Sequence, residues 1–114
     1  MALEINISKY QEMPVLELTG RVVDVDAKRF TKRLEFLFKK DYAAIIIDLS
    51  KTNFIDSHGL GIIVYYHTMM QRAKRKLIVV NANPNPQNYI ARLFDLTNLY
   101  SVFSVAASLD QVKG

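Results

Sequence analysis

The segment Ala43-Ala44-Ile45-Ile46-Ile47-Asp48-Leu49 restricts the fold more than any other part of the chain. Successive side chains of a strand point to opposite faces, so a strand with one wet face alternates apolar and polar residues. Here the run is nearly unbroken and centres on three isoleucines, whose stiff side chains suit a pleated surface better than a helix. A strand of this kind is covered on both faces, as interior strands of parallel sheets are. Leu77-Ile78-Val79-Val80 repeats the pattern. Between the two, residues 58–73 form a very apolar segment of helical length, which suits a crossover between parallel neighbours.

The flanking sequence fits around this centre. Leu3, Ile5 and Ile7 alternate with polar residues and predict a half-buried strand. Val15, Leu16 and Leu18 predict a second, ending at Gly20, and the short Gln11–Pro14 turn makes the two an antiparallel hairpin. From Asp26 the period becomes helical. Ala27, Phe30, Leu34, Leu37 and Phe38 share one face, with Lys28, Arg29, Lys32 and Arg33 opposite. Asp24 or Asp26 is placed to cap this helix, and Glu35 to pair with Lys39 one turn on. Asn85-Pro86 reads as a cap and a first helical residue, ahead of an inner face of Ile90, Leu93 and Phe94, with Asn98 as a left-handed stop. Val102–Val105 is a last strand, and Ser108 caps a weak terminal helix using Leu109 and Val112. The expected order is β-β-α-β-α-β-α-β-α. It describes an α/β layer of four to five mostly parallel strands with an N-terminal antiparallel hairpin and four helices mostly on one face.

Length and composition narrow the function. The 114 residues fit one domain, 1–114, and half are hydrophobic, enough for a sizeable core. The absence of cysteine removes disulfides, zinc–thiolate sites and thiol catalysis. The start, MALEINISKY, fits neither a signal nor a transit peptide, and the Asn6-Ile7-Ser8 sequon is read as coincidence. No apolar run approaches the roughly 18 residues of a membrane helix, so the cytoplasm is the expected location. The formal charge is +4, with six basic residues between Lys28 and Lys40 and four between Arg72 and Lys76. A nucleic-acid surface is one reading of these clusters. A solvated helix face with cations at helix C-termini is the better one, because aromatics are not interleaved as base stacking requires.

The chemistry concentrates in Asn53-Phe54-Ile55-Asp56-Ser57-His58-Gly59-Leu60-Gly61. On the predicted scheme a loop runs through Lys51 to Ile55 and a helix begins near His58. Ser57 is then the natural N-cap, its hydroxyl accepting from the amide of Gly59 or Leu60. The same geometry suits a phosphate, since a helix N-terminus offers free amides and partial positive charge. Gly59 and Gly61 each weaken the helix by roughly 1 kcal/mol relative to alanine, which asks for a reason: close approach of a partner's backbone, or tight packing of the helix on its own sheet. A hydrolase is the rival reading. The nucleophile-elbow pattern needs a glycine where Ile55 stands, and a triad needs a histidine reaching the serine from elsewhere in the fold. The histidines are His58, adjacent to Ser57, and His67, almost three turns along the same helix. Neither suits a base, and no metal constellation forms.

The motif D-S-x-G-L-G at 56–61, together with LTG at 18–20, IIIDLS at 45–50 and RLFDLTNL at 92–99, resembles the STAS domain of bacterial anti-sigma factor antagonists. The likeness spans about Leu3 to Val112 in order and spacing. It implies a partner switch. The unmodified protein binds an anti-sigma factor that is also a serine kinase and so releases a sigma factor. The kinase phosphorylates the first serine of the motif, Ser57, which frees the antagonist, and a phosphatase resets it. On this resemblance the chain itself catalyses nothing. Separately, no cofactor, metal, membrane or direct nucleic-acid partner is expected, and the chain is expected to be a monomer or weak dimer. Its partner surface is Arg21, Asp24, Asp56, Ser57, His58, Gly59 and Leu60. Two positions depart from the family pattern: His58 replaces a small residue, and the GRVVD loop has Arg21 in an acidic place, Val23 in the place of an aspartate and Asp24 one position late. A STAS scaffold without phosphoryl control, as in a stressosome, or a STAS subunit of another regulatory complex, is the alternative reading, and a small nucleic-acid binder a further one.

Overall fold

The isoleucine run lies at the middle of the sheet, with Ile45, Ile46 and Ile47 all essentially sealed from solvent. The computed structural model describes residues 3–112. Along the chain come β1 (Glu4–Tyr10), β2 (Met13–Val22), a 3-10 turn (Asp24–Asp26), α1 (Ala27–Lys39), β3 (Ala44–Asp48), β4 (Thr52–Ile55) and α2 (Ser57–Arg72). Then follow β5 (Lys76–Val80), α3 (Tyr89–Thr97), a 3-10 turn (Leu99–Ser101), β6 (Ser104–Ala106) and a last 3-10 turn (Leu109–Gln111). The sheet order is β1-β2-β3-β5-β6, with β4 attached to β2. β1 and β2 form the expected antiparallel hairpin, Tyr10 opposite Met13, and the other pairs are parallel.

Two apolar layers result from the two faces of β3. Leu16, Leu18, Ile45, Ile47, Leu77 and Val79 face the helices, meeting Phe30 and Leu34 of α1, Ile63 and Met70 of α2, and Ile90 and Phe94 of α3. Met13, Val15, Ala44, Ile46, Ile78 and Val80 form the opposite layer, closed by Val112 with Tyr10 and Leu109 at its margin. All three α-helices therefore cover one face, and the C-terminal segment helps close the other.

The architecture matches the sequence expectation with four corrections. There are six strands among the described residues, because Thr52–Ile55, expected as loop, pairs in parallel with β2. The expected fourth helix is only a 3-10 turn, and Ser108 turns its hydroxyl to Asp110 rather than capping it. α3 starts at Tyr89 with Asn88 as its cap, its Oδ1 accepting from the Ala91 amide at 3.1 Å, so Asn85-Pro86 lies in the preceding turn. Neither Asp24 nor Asp26 caps α1 through its side chain; the buried Asp26 carboxylate meets Arg29 at 3.3 Å instead. Asn98 does stop α3 in the left-handed region, at φ 58°, and Lys39 reaches Glu35 at 3.1 Å.

Gly20 explains how one strand serves two neighbours. β2 pairs with β3 through Val15–Glu17 and with β4 through Gly20–Val22, and the register shifts between Gly20 and Arg21. Gly20 sits at φ 103°, which side chains disfavour, and its amide donates to the Lys51 carbonyl at 3.0 Å. This bulge carries β2 past the end of β3 and brings the segment after Gly20 beside the start of α2.

Candidate functional site

The site is built from the end of β4. Thr52, buried, donates its hydroxyl to the Leu18 carbonyl at 2.8 Å and fixes β4 to β2. The Tyr89 hydroxyl accepts from the Ile55 amide at 3.2 Å and lies 3.0 Å from the Ile55 carbonyl, so α3 holds the residue just ahead of the motif. The Asp56 amide then donates to the Val22 carbonyl at 3.0 Å.

Asp56, not Ser57, is the N-cap of α2. Its backbone is extended and its Oδ1 accepts from the Gly59 amide at 2.8 Å. The Leu60 amide is taken by the Asp56 carbonyl at 2.9 Å. Ser57 is therefore the first helical residue. It is exposed, and among the described residues its hydroxyl has no hydrogen-bond partner. The capping duty expected of Ser57 falls one residue earlier because aspartate and serine are equally good caps and only the backbone path chooses between them.

His58 is exposed and turns to the loop after Gly20, where its Nδ1 pairs with Asp24 Oδ1. The Asp24–His58 contact is the half of a triad that orients a base. The other half is not made, since adjacent helical residues diverge by about 100° and no hydrogen bond joins His58 to Ser57 among the described residues. His67 stands far along α2, its ring edge-on to Phe103. Arg21 lies over the Phe54 ring at 4.5 Å, and Phe54 packs on Tyr89 at 5.7 Å. Leu60 is half-buried against the main core.

The two glycines differ. A Cβ on Gly59 would stand 2.7 Å from Val22 Cγ1 and 3.0 Å from Ile55 Cγ1, so this glycine lets α2 seat on its own sheet. At Gly61 nothing lies within 4 Å. Gly59 is buried and is thus no landing place for a partner's backbone, whereas Gly61 opens onto a groove between α1 and α2. That groove, about 390 Å³, is lined by Thr31, Ser57, His58, Gly61, Tyr65 and Tyr66. A second trough of about 420 Å³ meets it at Thr31 and His58 and is flanked by Lys28 and Lys32. Burial, with Glu35 and Tyr65 adding to it, raises the Tyr66 phenol above its ordinary value. Thr31, Tyr65 and Tyr66 were not expected at the site. Ser57, Gly61 and Tyr65 recur at every fourth residue, a stripe that sequence spacing does contain.

Among the described residues no group of three His, Cys, Asp or Glu side chains is placed to hold a metal ion, and no helix is long and apolar enough to cross a membrane.

The chain is 21% identical over 106 residues to BtrV of Bordetella bronchiseptica, a proposed anti-sigma factor antagonist, covering 93% of this chain and 88% of that one. An anti-sigma factor antagonist from Mycobacterium paratuberculosis shares the fold at a TM-score of 0.82, with 22% identity over 96% of this chain and 89% of that one. The phosphorylated form of SpoIIAA, a cell-fate determinant of Bacillus, superposes at a TM-score of 0.67, with 18% identity over 96% and 95% of the two chains. The model of the STAS domain matches residues 4–112, and the chain belongs to the STAS domain family.

Proposed function

We propose that this chain is an anti-sigma factor antagonist whose binding state is set by phosphorylation of Ser57. The observation that carries the reading is the division of labour at the start of α2. Asp56 caps the helix, which leaves the Ser57 hydroxyl exposed and unengaged at a helix N-terminus. A phosphate there meets first-turn amides and the positive end of the helix dipole. The neighbouring hydroxyls differ. Ser50 Oγ is held by Asp48 at 2.5 Å and by the Ala82 amide at 2.7 Å, and Thr52 is buried. Support also comes from the names of the similar proteins, one of which has been solved in a phosphorylated form.

In this reading the partner is an anti-sigma factor that is also a serine kinase, and a phosphatase resets the switch. The chain is the substrate and supplies no catalytic group. The partner surface runs from Arg21 and Asp24 over Asp56, Ser57 and His58 to the rim at Leu60, with Gly59 beneath it as packing. Phosphorylation adds about −1.5 to −2 charge in the middle of that surface, enough to break contacts formed with a neutral serine.

A scaffold without phosphoryl control is favoured by one observation. Arg21 is stacked on Phe54 and Asp24 is paired with His58, so the loop's charged groups are already engaged within the chain. Affinity capture from the native host separates the readings. The switch predicts that wild type and Ser57→Ala retain the same kinase-like protein and that Ser57→Asp loses it. Equal retention by all three supports the scaffold.

A further inference from the structure

The parallel strands begin at the end of the sheet opposite Ser57, and the basic residues collect there. Lys9 lies near the end of β1, Lys39 and Lys40 close α1, Arg72 and Lys74 close α2, and Lys76 opens β5; all six are exposed. Arg75 lies among them, half-buried and spent on the carbonyls of Tyr42 at 2.6 Å and Phe38 at 3.1 Å. The acids at this end are Glu12, Glu35 and Asp41. Of the fourteen basic and eleven acidic residues among those described, seven and three are thus gathered here, which leaves seven and eight elsewhere. The pole thus carries a formal charge of +4, and the other described residues carry −1 between them.

Helix dipoles account for part of this, since cations favour helix C-termini. They account for Lys39 and Arg72. They do not account for Lys9 or Lys76, which lie on strands. Aromatic side chains accompany the cations. Phe36, one turn back along α1, is 56% exposed with Lys40 Nζ 4.9 Å from its ring centre. Tyr10 and Tyr42 are half-buried at the same end, with Lys9 above the Tyr42 ring at 5.7 Å.

We propose that this pole docks on an anionic lipid surface, leaving the Ser57 end turned away from it. Exposed lysines with an exposed ring at Phe36 and half-buried tyrosines beside them suit a headgroup layer, the ammonium groups among phosphates and the rings at the boundary. Nucleic acid fits less well: five of the six exposed cations are lysines, point charges rather than the planar forks that grip phosphate in two places, and one exposed ring is no stacking series. Self-association through this pole fits no better, because two copies would set like charge against like charge.

Flotation with vesicles tests the proposal on the intact protein. Wild type is expected to float with a two-to-one mixture of phosphatidylcholine and phosphatidylglycerol, to release at high salt, and to ignore phosphatidylcholine alone. Each cation removed weakens binding roughly fivefold, so Lys40→Glu/Arg72→Glu/Lys74→Glu abolishes flotation. Lys28→Glu/Lys32→Glu/Lys51→Glu, equal in charge but remote from the pole, retains most of it. Phe36→Ser loses several-fold, and being at an exposed position it reports even where the triple variant fails to fold. The idea is overturned by no flotation at low salt, by equal loss in both triple variants, or by duplex DNA binding the same variants in the same rank order while vesicles bind none.

Discussion

Gly59 and Gly61 stand half a turn apart on α2 and carry opposite expectations. Gly59→Ala adds a methyl against Val22 and Ile55, both buried and β-branched. Overpacking of this kind costs about 1–3 kcal/mol and outweighs the gain in helix propensity. Gly61→Ala meets nothing within 4 Å and should stabilise the fold by about 0.5–1 kcal/mol. Urea unfolding of the two variants checks both; stabilisation by Gly59→Ala would show that the α2–sheet contact is looser than described. Asp56→Ala should cost about 1 kcal/mol through the lost cap. His58→Ala should change stability by less than about 0.5 kcal/mol, because the pair with Asp24 is exposed on both sides. Sequence spacing pointed to the right stretch but exchanged the roles of neighbours. Asp56 and Ser57 are both good caps, and the packing under Gly59 comes from Val22, far away in the chain.

At the scale of elements, the unbroken run of β3 is the clearest case of fold written in sequence. Ile46 and Ile47 face different layers and both are fully buried. Ile46→Ala and Ile47→Ala should each cost about 2–5 kcal/mol by denaturant unfolding. A cheap Ile46→Ala would mean that the layer away from the helices is not a true core. The hairpin, α1 and β5 were legible for the same reason: their apolar period is long enough to read. β4 was not, since four residues, Thr-Asn-Phe-Ile, show no sustained alternation and its partner is distant β2. Leu109 and Val112 suggest a C-terminal helix, but two apolar residues are too few to hold more than a 3-10 turn. Tyr66 adds a pH expectation. Its raised phenol stays protonated in the fold where the unfolded chain begins to ionise near pH 10. Stability from this group is complete below that pH and declines as pH rises through the folded-state value. Tyr66→Phe should flatten the alkaline limb of a stability–pH curve; an unchanged limb would assign it to other groups.

For the whole molecule, the bulge at Gly20 and the end of β4 bring the Arg21–Asp24 loop and the start of α2 to one end, while the net charge gathers at the other. The switch reading needs only the first of these. It stands on the Ser57 hydroxyl being exposed and, among the described residues, unengaged, at a helix start where phosphate is welcome. Phosphate mapping tests this most directly. Purified wild type and Ser57→Ala are incubated with ATP and the kinase partner obtained by capture, and each is then analysed by intact mass and peptide sequencing. The account predicts one phosphate on wild type, located at Ser57, and none on Ser57→Ala. Phosphate at Ser8, Ser50 or Thr52, or an undiminished level on Ser57→Ala, would contradict it.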